Sequence, residues 1–319
     1  MNYRLYDGTV RCPDHMDATS YQGTTGSACT YCTAYPENQA VASAADLLFI
    51  TTRDDAIAEV ARSVRWVSGQ MVVHTSGAAT ISALAASKEA GALVGSFHPL
   101  QTFADADQAL ASLPGTTFVL EGEGQVLECL KKIAEDLGGR YLTIRSEDKT
   151  LYHAAAVMAS NYTVTLMHMA VDMWRAFGVE PPVALQALLP LLRGTVRNIE
   201  VVGLPHCLTG PVARGDVTTV QAHLETLAKR APELLPAYRE LALQAIPVGI
   251  AKGTLDPSAA ELLRGCEDWL VAEGEIPEED TLASSLLPLA WPSTWAEAQR
   301  QFPSQFVPGS LGDRVKDLI

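Results

Sequence analysis

Between Ser43 and Ile144, short apolar runs alternate with amphipathic helical stretches, a pattern that few folds accommodate. The run DLLFITTR at Asp46–Arg53 has the continuous, β-branched character of a strand buried on both faces. DDAIAEVARSV at Asp54–Val64 follows with helical spacing and an acidic first turn, which suits the positive end of a helix dipole. Asp54 is well placed to cap that helix. The alternation continues through predicted strands Met71–Thr75, Ala92–Phe97, Thr117–Leu120 and Arg140–Ile144. Predicted helices Thr80–Glu89, Asp105–Ser112 and Gln125–Leu137 separate them. Strands and helices in this rhythm imply βαβ units, hence an α/β fold with a doubly wound parallel sheet over residues 43–146.

After Glu147 the rhythm stops. Lys149–Phe177 is helical in pattern and free of proline and glycine, and further helices are predicted at Pro182–Leu192, Val217–Lys229, Glu233–Ala251 and Ser258–Ala272. Residues 147–272 therefore read as an all-α domain. Its long first helix fits a central spine or the surface of a homodimer. Residues 273–319 are acidic and contain several prolines, the composition of a poorly packed tail. Residues 1–42 differ from everything that follows. They hold five tyrosines and three of the six cysteines, and no stretch has the period of a strand or an amphipathic helix. They read as an atypical segment, disordered or rearranged.

A net charge of −14 excludes nucleic acid and anionic membranes as expected partners, because both need a basic surface. No run approaches the roughly 20 apolar residues that span a bilayer, and no signal peptide is visible, so a cytoplasmic protein is expected. Of Cys12, Cys29, Cys32, Cys129, Cys207 and Cys266, only Cys29 and Cys32 have ligand-like spacing. A lone CxxC is a weak zinc signal. Reduced thiols and no metal site are expected.

Three polar islands interrupt the apolar sequence: SFHPLQTF at Ser96–Phe103, KTLYHAAAVMASN at Lys149–Asn161, and LTGPVARGD at Leu208–Asp216. In open α/β sheets, ligands bind beyond the carboxyl ends of the strands. Those ends carry Thr51 and Thr52, then His74, Thr75, Ser76 and Gly77, then His98 and Pro99. The hydroxyls could donate to ribose or phosphate oxygens, and Gly77 would allow close approach. These residues, with Pro99, are the candidate cofactor contacts. Lys149 and His153 are four apart and share a helix face, while Asn161 lies about 80° round from His153. A lysine and a histidine there are costly to bury idle. His168, further along, reads as structural. In the third island Thr209 and Arg214 are candidate substrate contacts. Arg214 either clamps a carboxylate or phosphate or pairs with Asp216, and Asp216 is placed to cap the helix at Val217.

HTSG at His74–Gly77, SFHPLQTF, LEG at Leu120–Gly122, KTLYHAA at Lys149–Ala155, SN at Ser160–Asn161 and LTGPVARGD occur in an order that resembles one family. It is the bacterial Rossmann-like proteins carrying a C-terminal domain of unknown function, number 2520. That family is similar to pyrroline-carboxylate, ketopantoate and 6-phosphogluconate dehydrogenases, the last in its C-terminal domain. The resemblance covers about Ala44 to Leu263. It implies a Rossmann-like sheet domain followed by an all-α C-terminal domain, and an NADP or NAD cofactor. It implies too that His98 lies beside nicotinamide and substrate, that Lys149 is the acid/base with His153 beside it, and that Asn161 orients the substrate. The chain departs from the pattern at its start. Gly23-Thr-Thr-Gly26-Ser27 is not GxGxxG and follows no apolar strand, so a rearranged start or a lost first βαβ unit is implied. The leading expectation is an NAD(P)-dependent oxidoreductase that transfers hydride to or from a small anionic carbonyl or imine. The alternative is a non-catalytic binding protein that has lost cofactor binding.

Overall fold

The computed structural model describes residues 5–6, 37–103 and 106–272. The chain divides into two compact units, Met1–Thr165 and Leu166–Ile319.

The first unit is a six-stranded sheet in sequential order. Its strands are β1 (Leu5–Tyr6), β2 (Leu47–Ile50), β3 (Met71–His74), β4 (Leu93–Pro99), β5 (Thr117–Gly122) and β6 (Arg140–Thr143). Between them lie α1 (Asn38–Ser43), α2 (Asp54–Ser63), α3 (Ala85–Glu89), α4 (Ala106–Ser112) and α5 (Gly124–Asp136). β2 and β3 are buried along their whole length, as their continuous apolar character requires. Side chains alternate between the two faces. Leu47, Phe49, Met71, Val73, Phe97, Phe118 and Leu120 pack with Val126, Leu130 and Ile133 of α5. Ile50, Val72 and Val94 pack with Ile57 and Ala61 of α2 and with Leu84. At Gly95 a Cβ would lie 3.0 Å from Leu130 Cδ1, so this glycine lets α5 settle on the sheet.

Helices thus cover both faces, but not as a purely parallel sheet would arrange them. β1 to β4 are parallel, β4 and β5 are antiparallel, and β5 and β6 are parallel again. Right-handed crossovers between strands that advance in one direction leave their helices on one face. The reversal at β5 turns the next crossover over and puts α5 on the other face. The start of the chain also differs from expectation. Leu5 and Tyr6 pair with Phe49 and Ile50, and α1 begins at Asn38, inside the segment where no element was signalled. The remainder of that segment, with Cys29 and Cys32, lies outside the described residues, as does the 273–319 tail.

The long predicted helix is two: α6 (Lys149–Ala159) and α7 (Asn161–Arg175), broken at Ser160. Ser160 and Asn161 are residue types whose side chains compete with the helix backbone for hydrogen bonds. The second unit continues with α8 (Pro181–Val202), α9 (Val217–Arg230), α10 (Leu235–Lys252) and α11 (Pro257–Ala272). Val220, Leu224, Leu235, Ile246, Leu255, Ala260 and Leu263 form its core. Among the described residues no helix is long and apolar enough to cross a membrane.

Candidate functional site

Ser96 and His98 are two apart on β4 and so share a face; Glu121, the register partner of Ser96 on β5, shares it too. α6 starts at Lys149, and Tyr152 and His153 follow on the same helical side. The sheet and the helix meet in two rungs.

The first rung is a buried charge cluster. Lys149 Nζ donates to Ser96 Oγ at 2.6 Å and to Glu121 Oε2 at 3.1 Å. The Lys149 side chain is 1% exposed and that of Glu121 3%. The other Glu121 oxygen accepts from the Ile81 N–H at 3.2 Å and from the Ser146 hydroxyl. Burial pushes the Lys149 ammonium below its ordinary range, opposed by the attraction of Glu121 and, less strongly, of Asp54. Lys149 was expected to be the acid/base of the site. Its ammonium is turned toward Ser96 and Glu121, the partners that a buried charge needs.

The second rung is made of rings. His98 Nδ1 lies 2.6 Å from the Tyr152 hydroxyl, with the two rings edge to face. The His153 ring centroid is 6.4 Å from that of His98. Gly77 makes the room: a Cβ there would stand 2.7 Å from His98 Nε2 and 2.8 Å from His153 Cδ2. Burial lowers the His98 pKa to about 4, helped by the Lys149 ammonium and by His153. Burial raises that of Tyr152 to about 12. At neutral pH the imidazole is therefore uncharged and the phenol keeps its proton. When that phenol donates to Nδ1, the N–H of His98 is on Nε2, facing Gly77.

The predicted strand-end residues divide. His74 is fully buried, and its ring is bonded within its own loop. Nδ1 accepts from the Ser76 N–H at 3.2 Å, so Nε2 carries the proton and donates to the Thr80 carbonyl at 3.2 Å. Burial, then Lys149, lowers its pKa to about 4. Ser76 Oγ donates to Asp54 Oδ2 at 2.7 Å and accepts from the N–H groups of Ala78 and Ala79. Asp54 therefore does not cap α2; Arg53 occupies the cap position, and Asp54 in the first turn holds the His74–Gly77 loop. Thr51, Thr75 and Pro99 are half-buried at strand ends. Thr52 Oγ1 is buried without a partner at the end of β2.

Asn161 stands exposed at the start of α7, beyond the Ser160 break. Thr209 and Arg214 belong to the second unit and are both exposed. Lys252 Nζ holds the Leu208 carbonyl at 2.6 Å, and Thr254 Oγ1 holds that of Ala213 at 2.6 Å, fixing their loop. Asp216 caps α9 as expected, accepting from the Thr219 N–H and hydroxyl. His168 makes a surface pair with Asp172. Among the described residues no group of three His, Cys, Asp or Glu side chains is placed to hold a metal. Sequence reasoning passed over Ser96, Glu121, Ser146 and Tyr152. Ser96, Glu121 and Tyr152 stood inside the motifs SFHPLQTF, LEG and KTLYHAA without being singled out; spacing adds that Ser96 is two before His98 and that Tyr152 falls between Lys149 and His153.

Residues 116–245 match the family described as Domain of unknown function (DUF2520). Protein TM1727 of Thermotoga maritima is 30% identical over 64% of this chain and 78% of its own, with a TM-score of 0.56. A Bacteroides fragilis protein provisionally named as an NADP oxidoreductase, BF3122, is 24% identical over 64% of this chain and 76% of its own, with a TM-score of 0.53. That second likeness is one of fold. No curated protein matches the chain.

Proposed function

The chain belongs to the Rossmann-like proteins that carry the domain of unknown function 2520, and from that premise we propose that it is an NAD(P)-dependent oxidoreductase acting on a small anionic carbonyl or imine. The observation that carries the reading is the cluster of His98, Tyr152 and His153 over Gly77 at the carboxyl ends of β3 and β4. This is where open α/β sheets bind ligands.

The nicotinamide cofactor, when bound, supplies the hydride chemistry. Thr52 Oγ1 fits it: a buried hydroxyl with no partner among the described residues suits a ribose or phosphate oxygen, and Thr51 and Thr75 stand at neighbouring strand ends. The chain's own part is the proton. Tyr152 holds one on its hydroxyl at neutral pH, and in the tautomer whose Nδ1–H donates to the phenol oxygen 2.6 Å away, His98 leaves that proton free for a ligand. An oxygen or nitrogen gathering negative charge beside the pair takes the proton from Tyr152. His153 is the second proton carrier. The small anionic substrate stays part of the proposal; Arg214, exposed in the second unit, has the fork of donors that a carboxylate or phosphate takes in two parallel hydrogen bonds.

The rival is a binding protein without turnover, favoured by the absence of GxGxxG from the sequence. Calorimetric titration of the full-length chain with NADPH and then NADH separates the two. Saturable micromolar binding is expected, followed by reduction of some member of a panel of small keto acids and cyclic imines. Tyr152→Phe should lower that turnover at least about tenfold with NADPH affinity unchanged. A folded chain that binds neither cofactor ends the oxidoreductase reading.

The proposed partner is a second copy. Along α8, Val183 is 57% exposed, Leu191 68% and Val201 75%. These side chains are spread over a helix of about 33 Å, and a twofold axis lets the same helix cover itself in the other subunit. Light scattering of the full-length chain should give the mass of two chains; a monomer at high micromolar concentration contradicts the pairing.

A further inference from the structure

We propose that Glu121 and Lys149 are positioning residues: their buried pair fixes α6 at one register over β4, and that register brings Tyr152 and His153 onto His98. The consequence for turnover rests on the function proposed above; the geometry does not.

The two elements have commensurate steps. From Ser96 to His98 the strand advances about 6.7 Å. From Lys149 to Tyr152 or His153 the helix advances about 4.5–6 Å. A helix pinned at Lys149 on Ser96 and Glu121 therefore places its next turn against His98. A slip of α6 by one turn, about 5.4 Å, would carry the ammonium off Glu121 and set Tyr152 or His153 against Ser96. The pair resists this slip because a buried charge without its partner is heavily disfavoured, whereas apolar side chains tolerate several registers.

Glu121 is also the point where separate segments converge. Besides Lys149 it binds the Ile81 N–H after β3 and the Ser146 hydroxyl just before α6. Ser96 ties the same ammonium to β4. The loop that carries Gly77, the strand that carries His98 and the helix that carries Tyr152 and His153 all refer to one carboxylate. A catalytic lysine would need a face open to substrate, and 1% exposure leaves Lys149 none.

The test reads the imidazole nitrogens of His98 by ¹⁵N NMR in the full-length chain. At pH 8 His98 is uncharged whether or not the Lys149 charge is present, so the Nδ1 signal reports its hydrogen bond and not its titration. Tyr152→Phe marks the signal of the broken bond. The double variant Lys149→Met/Glu121→Gln is neutral, and its glutamine still accepts from Ile81 and Ser146. It is expected to fold and to move the Nδ1 signal most of the way to the Tyr152→Phe position. A folded double variant with the wild-type signal overturns the proposal. Should the double variant not fold, Ser96→Ala and Lys149→Arg give the same reading: a shift supports the proposal, and an unchanged signal in both overturns it. Failure to bind NADPH with a wild-type His98 signal would remove the proposed function and leave the positioning role standing.

Discussion

Lowering the pH from 6.5 to 4 is expected to cost the folded chain roughly 3 kcal/mol at His74 and less at His98, whose half-buried ring is partly screened by water. Both are held near 4 when folded, first by burial and then by the Lys149 ammonium, while an unfolded histidine titrates near the model value of 6.5. A lowered folded pKa means that the unfolded chain takes up the proton first. Stability from these groups is therefore complete above pH 6.5 and is lost as the pH falls through the window to about 4. His74 contributes a slope of about 1.4 kcal/mol per pH unit inside that window, and His98 a smaller one. The carboxylates with lowered pKa, Asp216 and Asp256, act at and below 3.8 and leave most of the window to the histidines. Urea denaturation at half-unit steps of pH measures this directly. His74→Gln should remove the larger part of the slope. A wild-type stability that stays flat from pH 6.5 to 4.5 would show that both rings protonate in place.

The central strands β2 and β3 were legible because burial on both faces leaves a continuous apolar run, LLFI and MVVH. Strand direction was not. TFVLEG reads the same whether it runs with its neighbour or against it, and the stretch between Pro99 and Thr117 is long enough for either connection. The first strand was missed for the opposite reason: two residues, Leu5 and Tyr6, are too few to show a period.

In the site, Lys149, His98 and His153 stood out as polar groups in apolar surroundings. Spacing along α6 showed that Lys149 and His153 share a face, but not what that face meets. The lysine was given the role of a proton donor; the tertiary structure put a glutamate from β5 against it. Glu121 was marked only as the middle of the LEG motif, and an acidic residue near a strand end is otherwise ordinary. His74 illustrates the same gap. A histidine can satisfy both ring nitrogens from the backbone within six residues, as this one does through Ser76 and Thr80, and nothing in the sequence distinguishes that use from ligand binding.

Lys149→Met alone is expected to destabilise the chain by about 3–5 kcal/mol, the cost of leaving one member of a buried ion pair without the other. The substitution keeps the apolar stem and removes only the ammonium. Glu121, 3% exposed, then retains the Ile81 N–H and the Ser146 hydroxyl but has lost its only charged hydrogen-bond donor among the described residues. Replacing both partners has a different cost. In Lys149→Met/Glu121→Gln no charge is stranded, and buried pairs exchanged for neutral groups of similar volume are often close to neutral in stability. The double variant should therefore lie within about 1–2 kcal/mol of wild type and well above the single variant. Denaturant unfolding of the four members of this cycle measures the coupling. A Lys149→Met cost below about 1 kcal/mol, in the range of an exposed pair, would mean that water reaches Glu121 once the lysine is gone. The cluster would then be too loosely sealed to set the register of α6.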